Sequence, residues 1–184
     1  MNKFIITVLT QDRPGIIAHV TKVLFELGCN LENVNQMILQ TQFAGLFLVE
    51  APESIDKDHL QHTLTARSEG RDLVIHVNTL EETCGTDMDP DGDIFLITTI
   101  GPDRKGLVAG FSDILAAHRA NIVNLKAVFK GGSDPKDNVM SYQVWVTPDM
   151  DTGAMFTELR QKAEELGLDI RIQHKNIFDA INKI

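Results

Sequence analysis

The sequence predicts an α+β protein that consists of two tandem copies of one βαββαβ unit. Three observations lead to this prediction. The chain repeats itself at a nearly constant spacing, each copy has the same order of strand and helix patterns, and an acidic stretch separates the copies. A length of 184 residues is sufficient for two small domains with a core each.

The internal repeat covers most of the chain. Residues 4–18, FIITVLTQDRPGIIA, align with residues 95–109, FLITTIGPDRKGLVA, at an offset of 91 that continues into the next strand. Towards the end of each copy the offset is 97, and the turn at 131–138, which replaces a shorter turn at 40–42, absorbs the difference. Because insertions occur mostly in surface turns, we interpret the repeat as two copies of one domain.

The first copy begins with a strand and a helix. Apolar, β-branched residues predict a strand over 4–9, and apolar residues at helical spacing predict a helix that follows the turn at 12–15. We expect Asp12 or its neighbour to cap this helix and Pro14 to lie in its first turn. Gly28 is expected to end the helix.

Four more elements complete the unit. The last strand has one apolar face, formed by Leu73, Ile75 and Val77. In the second helix, Leu60 and Leu64 are expected to point towards the core. The order βαββαβ is typical of the ferredoxin-like fold, an antiparallel four-stranded sheet with two helices on one face. The predicted segments are strands at 33–39 and 43–49, a helix at 57–68 and a strand at 73–77.

The domain boundaries follow from the repeat. We expect a first domain over residues 1–80 and a second over 94–184. Residues 81–93 are acidic, contain Pro90 and lack apolar periodicity, so they predict a linker.

Composition and charge limit the partners. With 17 Lys+Arg against 26 Asp+Glu, the net charge of −9 disfavours direct binding to nucleic acid or to an acidic membrane surface. Cys29 and Cys84 are too few for a disulfide framework, which favours a reducing, cytoplasmic location. The apolar run near the N-terminus is too short for an export signal, and no stretch approaches the ~20 apolar residues of a membrane span.

One face of each sheet is expected to lack a cover from its own domain. The strand segments 4–9 and 43–49 are nevertheless apolar on both sides. Because an exposed apolar surface of this extent is unfavourable, we expect a homodimer in addition to packing between the two copies. The interacting faces are expected to carry Phe4, Ile6, Phe47 and Val49 or the residues that alternate with them.

A family resemblance rests on two motifs. Residues 10–17, TQDRPGII, followed by 27–31, LGCNL, resemble the signature of ACT domains, which are small-molecule sensing modules of amino-acid metabolism. Two such domains without an attached enzyme resemble the glycine cleavage system transcriptional repressor group. The resemblance implies a non-catalytic, amino-acid-sensing regulatory protein, with glycine or serine metabolism as its context. Nothing resembles a helix-turn-helix, so control of transcription would pass through a transcription-factor or enzyme partner. No cofactor is implied.

The turn between the first strand and helix of each copy is the candidate effector site. Free N–H groups at a helix start bind a carboxylate, and a glycine lets the ligand approach. We expect the Asp12 carboxylate to contact the ammonium group of an amino acid, and family members often place the effector where two domains pack together. The predicted ligand-binding residues are Asp12, Arg13, Pro14, Gly15, Ile16, Asn30 and Leu31 in the first copy, and Asp103, Arg104, Gly106, Leu107, Asn121 and Ile122 in the second.

The second copy departs from this pattern. Lys105 stands where the first copy has Pro14, and residues 118–121, HRAN, replace 27–30, LGCN. We therefore expect the first site to be the functional one and the second to be altered or lost. For both turns, a purely structural, helix-capping role is the alternative.

An enzyme is the competing class of function. Acylphosphatases share the fold and use an Arg in the same turn with an Asn on the next strand, which Arg13 with Asn30, and Arg104 with Asn121, resemble. A small hydrolase of this type is the alternative function. An RNA-recognition module is excluded because the Lys/Arg-Gly-Phe pattern and the basic charge are absent.

No catalytic residue and no metal site are predicted. Residues 87–92, DMDPDG, begin like an EF-hand loop, but Thr98 stands at the twelfth position in place of Glu. His59 and His62 share a helix face without further ligands nearby in the sequence.

Overall fold

The computed structural model describes residues 1–80, 92–129 and 138–176. The chain divides into two compact units, Met1–Gly85 and Thr86–Ile184. The expected linker, the EF-hand-like segment and the inserted turn of the second copy lie almost entirely outside the described residues.

The first unit has the predicted βαββαβ order. Its elements are β1 (Asn2–Gln11), α1 (Ile16–Glu26), β2 (Asn30–Leu39), β3 (Gln42–Ala51), α2 (Lys57–Arg67) and β4 (Val74–Thr79). The strands form one antiparallel sheet in the spatial order β2-β3-β1-β4. The ferredoxin-like fold is thus confirmed, and the strands are longer than their apolar runs because polar residues at their ends also pair.

The second unit repeats this topology. Its elements are β5 (Asp93–Gly101), α3 (Leu107–Ala117), β6 (Asn121–Phe129), β7 (Asn138–Val146), α4 (Thr152–Leu166) and β8 (Asp169–His174). Its antiparallel sheet has the spatial order β6-β7-β5-β8. Both units therefore have the element order that the internal repeat predicts.

The core of the first unit lies between its sheet and its helices. Phe4, Ile6 and Val8 alternate along β1 and are buried together with residues of both helices. Leu60 and Leu64 on α2 are buried, as predicted. Burial of each large apolar side chain stabilises the fold by about 1.5–3 kcal/mol, so the apolar stripe of each helix determines which side packs on the sheet.

The other side of this sheet is apolar but more exposed. Phe4, Ile6, Phe47 and Val49 are all core residues, so the alternating residues form the second face. We define the outer face as Ile5, Leu9, Leu46, Leu48 and Val74, which register places on one side of neighbouring strands. Leu9 is 46% exposed and Leu46 is 49% exposed. The strands are thus apolar on both sides, as predicted.

Among the described helices, none has the length and apolar character required to cross a membrane.

Candidate functional site

The turn from β1 to α1 is built around a glycine in the left-handed conformation. Gly15 is the N-cap of α1 with φ +93°, and Gly106 is the N-cap of α3 with φ +85°. This conformation strongly favours glycine because other residues carry a Cβ that crowds the backbone. The expectation that Asp12 caps the helix and Pro14 lies in its first turn is wrong. The helix begins only after Gly15, so both residues precede it.

Neither of these two helices has a side-chain cap. Asp56 and Asp151 cap α2 and α4, accepting hydrogen bonds from the backbone N–H groups of His59 (2.7 Å) and Ala154 (3.0 Å). In α1 no side chain plays this role, and the His19 N–H donates to the Gly15 carbonyl at 2.9 Å as the first bond of the helix. The N–H groups of residues 16–18 precede that bond and lie at the positive end of the helix dipole, where an anion is stabilised.

An open cleft lies over the first of these turns. Its volume is about 240 Å³. A Cβ added at Gly15 or at Gly106 would have no neighbouring atom within 4 Å, so space is open beside both glycines. Ile16 and Leu107 are core residues, so only their backbone N–H groups are placed to contact a ligand. The cleft is lined by Asp12, Arg13, Gly15, Ile16, Ile17, Ala18, Gln36, Ile38 and Phe43.

The structure does not bring Asn30 to this cleft. Asn30 pairs with Glu50, which pairs with Lys3 near the start of β1, whereas the turn follows Gln11 at the other end of that strand. Lys3 and Gln11 are eight residue steps apart along β1, a distance of about 26 Å at about 3.3 Å per step. The cause is α1, which carries the chain back along the sheet before β2 begins.

Asn30 and Leu31 line a different cleft at the far end of α1. This cleft has a volume of about 600 Å³ and also contains Lys22, Phe25 and Cys29. Burial raises the pKa of the Cys29 thiol, which disfavours the reactive thiolate.

The second copy separates its predicted residues in the same way. Asn121 pairs with Trp145. Trp145 in turn pairs with Ile94 near the start of β5, far from Gly106. Ile122 is half-buried beside Asn121 in the same strand. One copy alone therefore cannot place a small ligand on both its turn and its Asn.

Arg13 contacts a neighbouring turn of its own unit. Its guanidinium donates to the backbone carbonyl of Arg71, in the turn between α2 and β4. In the second unit Arg104 reaches the corresponding turn, where its Nη2 would lie 3.9 Å from a Cβ added at Gly167. Because Arg13 and Asn30 lie at opposite ends of the unit, they cannot act on one phosphate group. The geometry thus gives no support to the acylphosphatase alternative.

A histidine–serine pair joins α1 to the end of α2, and no sequence motif indicated it. His19 Nε2 lies 3.1 Å from the Oγ of Ser68, which is 5% exposed. Burial, followed by the positive charges of Arg71 and Lys22, lowers the pKa of His19. Within the ranges that the structure describes, no group of three or more His, Cys, Asp or Glu residues is arranged to hold a metal ion.

Two tandem ferredoxin-like units, each with an uncapped helix that begins at a left-handed glycine, define a tandem repeat of one small α+β domain. A family model described as the ACT domain matches residues 2–78 and 93–173, and the chain therefore belongs to the ACT-domain family. The resemblance to ACT domains that the sequence motifs indicate is confirmed.

Two relatives that are similar in sequence each match about half of this chain. A UPF0237 protein of Methanopyrus kandleri is 35% identical over 89 residues, which are 48% of this chain and 96% of the relative. A UPF0237 protein of Methanosarcina acetivorans is 38% identical over 82 residues, 44% of this chain and 87% of the relative. Such coverage is expected where a relative matches one of the two copies.

Two solved structures are similar over nearly the whole chain. An unknown protein from Galdieria sulphuraria has a TM-score of 0.76 at 24% identity and covers 94% of this chain and 98% of its own. A protein proposed to be a glycine cleavage system transcriptional repressor has a TM-score of 0.70 at 17% identity, covering 94% and 96%. These likenesses show that both share the fold of the tandem copies.

Proposed function

We propose that this protein is a non-catalytic regulator that binds an amino acid at the turns preceding α1 and α3. The observation that carries the proposal is the uncapped helix start, which occurs at the same place in both copies while α2 and α4 are capped. Membership of the ACT-domain family supports the same function.

The proposed ligand matches the groups around the first turn. Its carboxylate accepts hydrogen bonds from the free N–H groups of residues 16–18, and the helix dipole stabilises its charge. The Asp12 side chain lines the same cleft and is placed to accept a hydrogen bond from the ammonium group. A free amino acid carries both charges within a few bonds of each other, whereas a simple anion would gain nothing from Asp12.

The predicted Asn residues can contribute to this proposed site only if a second chain supplies them. Since Asn30 lies about 26 Å from the turn of its own unit, no ligand of amino-acid size contacts both groups within one unit. We therefore propose that the protein is a homodimer in which Asn30, Leu31, Asn121 and Ile122 of one chain contribute to sites formed by the turns of the other chain. The apolar outer face supports such an assembly.

The regulated process is proposed from the structural relative. Its description as a glycine cleavage repressor suggests glycine or serine metabolism, with regulation in the cytoplasm through a transcription-factor or enzyme partner. The net charge of −9 supports a protein partner over direct contact with nucleic acid.

Isothermal titration calorimetry of the full chain against each standard amino acid tests the proposal. We expect saturable binding of at least one of them and no hydrolysis of an acyl phosphate. A chain that binds none of them, or that hydrolyses acyl phosphates, would contradict the proposed function. Gly15→Val is expected to remove binding at the first turn, and circular dichroism must show that the variant is folded.

A further inference from the structure

Three buried polar atoms have no hydrogen-bond partner within the described part of the chain. They are the Oγ1 atoms of Thr10 and Thr99 and the Oδ1 atom of Asn138. These residues are only 6%, 1% and 5% exposed. Because a buried polar group without a partner is unfavourable, such atoms indicate a binding partner or a trapped water.

Asn138 faces the helices at the end of the sheet where β5 leads towards α3. It pairs with Gly101, the last residue of β5, and with Phe129 of β6. Its side chain is buried in phase with Met140 and Tyr142, which belong to the core of the second unit. The Asn138 side chain therefore lies on the helix side of the sheet.

The first copy shows what lies above this position. In the first copy Phe43 pairs with Thr10 of β1 and with Ile38 of β2. In the second copy Asn138 pairs with Gly101 and Phe129, which are the repeat equivalents of Thr10 and Ile38. Asn138 therefore occupies the position of Phe43. Phe43 forms part of the cleft over the Gly15 turn. By this correspondence, the Asn138 side chain lies beneath the start of α3, where space is open beside Gly106.

A second polar group lies beside Asn138. Thr99 is opposite Met140, so it is a diagonal neighbour of Asn138 on the same face, at about 7–8 Å between backbones. The first copy has Val8 at this position. The sheet surface beneath the start of α3 is thus more polar than the surface beneath the start of α1, where Thr10 is the single unpaired group beside an aromatic ring.

Donors and acceptors meet at this place in the second copy. The Gly110 N–H donates to the Gly106 carbonyl at 2.9 Å, so the N–H groups of residues 107–109 precede the first bond of the helix. The helix start supplies donors for a carboxylate, and Asn138 Oδ1 supplies an unused acceptor for an ammonium group.

We propose that Asn138 is a ligand-binding residue and that the second copy holds the more specific amino-acid site of the chain. Its amide oxygen accepts a hydrogen bond from the α-ammonium group of the amino acid whose carboxylate lies at the start of α3. This inference rests on the proposed function, and it reverses the sequence-based expectation that the first site is the functional one.

The variant Asn138→Leu tests this role, because leucine has the same branched arrangement of heavy atoms as asparagine but no hydrogen-bonding group. Calorimetry on the full chain with each standard amino acid is expected to show affinity of the second site reduced about 10- to 150-fold, as for loss of a hydrogen bond to a charged group. The unliganded variant should melt at the same temperature as the parent or higher, since a buried unpaired amide has been removed. Thr10→Val is the matched control in the first copy and should leave this binding unchanged.

A second comparison identifies the group that Asn138 contacts. The parent should prefer the bound amino acid over its α-hydroxy acid, and Asn138→Leu should lose this preference. Asn138→Asp retains an acceptor oxygen and should retain both the binding and the preference, which provides a test even if Asn138→Leu does not fold.

The outcomes separate the two proposals. A parent chain that binds no amino acid contradicts the proposed function, and this inference falls with it. A parent that binds while folded Asn138→Leu binds equally well contradicts this inference alone, and the amide then contacts only water. Loss of binding in folded Asn138→Asp would also overturn the role of the acceptor oxygen.

Discussion

Gly15→Ala isolates the conformational requirement of the β1–α1 turn. Because a Cβ at Gly15 meets no atom within 4 Å, the substitution introduces no clash. Its cost arises from the backbone alone, at φ +93°. Holding a non-glycine residue there costs about 1–3 kcal/mol, and the reduced entropy of the unfolded chain returns about 0.4–1 kcal/mol. We expect the free energy of unfolding of the first unit to fall by about 1–2 kcal/mol.

Differential scanning calorimetry of the full chain measures this loss. For a unit of this size, about 1 kcal/mol lowers the melting temperature by about 4–8 °C. Gly106→Ala is the matched variant and should lower the transition of the second unit by a similar amount, because Gly106 also has positive φ and open space beside it. Gly15→Asn should cost less, since asparagine adopts the left-handed conformation more readily.

Gly45→Ala provides a contrast in mechanism. A Cβ at Gly45 would lie 2.9 Å from ring atoms of both Phe43 and Phe47 in the core. Its loss of stability, about 1–3 kcal/mol, should therefore come from overpacking. If Gly15→Ala is as stable as the parent, or if Gly15→Asn loses as much as Gly15→Ala, the left-handed requirement at the turn is refuted.

Three further predictions concern pH, assembly and the shared site. The pKa of His19 in the folded protein is lowered from the ordinary histidine value of 6.5, so at a pH just below 6.5 the unfolded chain binds more protons than the folded protein. The free energy of unfolding, measured by urea denaturation, should fall as the pH drops from 6.5 through the pKa of the folded protein, and the fall should be shallower in His19→Gln. The same pH dependence in the parent and in His19→Gln would exclude this linkage. Leu46→Lys on the outer face should shift light scattering from a dimer to a 20.5 kDa monomer, and a monomeric parent would refute the assembly. Ala66→Lys, at an exposed position of α2, should remain a dimer. Asn30→Ala should weaken amino-acid binding in the dimer but not in the Leu46→Lys monomer, and equal weakening in both would contradict a site shared between the two chains of the dimer.

The sequence was sufficient to predict the fold because two independent patterns agreed. The repeat established two copies, and the alternation in each strand identified its buried side, as at Ile75 and Val77. The prediction that Asp12 caps the helix was wrong because the backbone conformation of Gly15, and not side-chain chemistry, determines where α1 begins.

The candidate site was harder to predict because it depends on long-range placement. Asn30 follows α1 closely in the sequence, but the helix reverses the chain direction and carries Asn30 to the opposite end of the sheet. The contact of His19 with Ser68 joins residues 49 positions apart with no recognisable motif. Asn138 follows the inserted turn, where the repeat offset changes, so its correspondence with Phe43 emerges only from strand register.

The packing at the end of β5 links the identity of Gly101 to the length of a connection. A Cβ at Gly101 would lie 2.5 Å from Leu168 Cδ2 and 3.1 Å from the Gly167 carbonyl oxygen. By strand register the first copy has Thr10 and Leu73 at the equivalent positions, so it holds a side chain and a leucine together. Its connection between α2 and β4 covers residues 68–73, whereas α4 and β8 are joined by residues 167–168 alone. The shorter connection therefore requires a glycine at the end of the first strand, and a recombinant that combined the first strand of one copy with the short connection of the other would place a threonine against that turn.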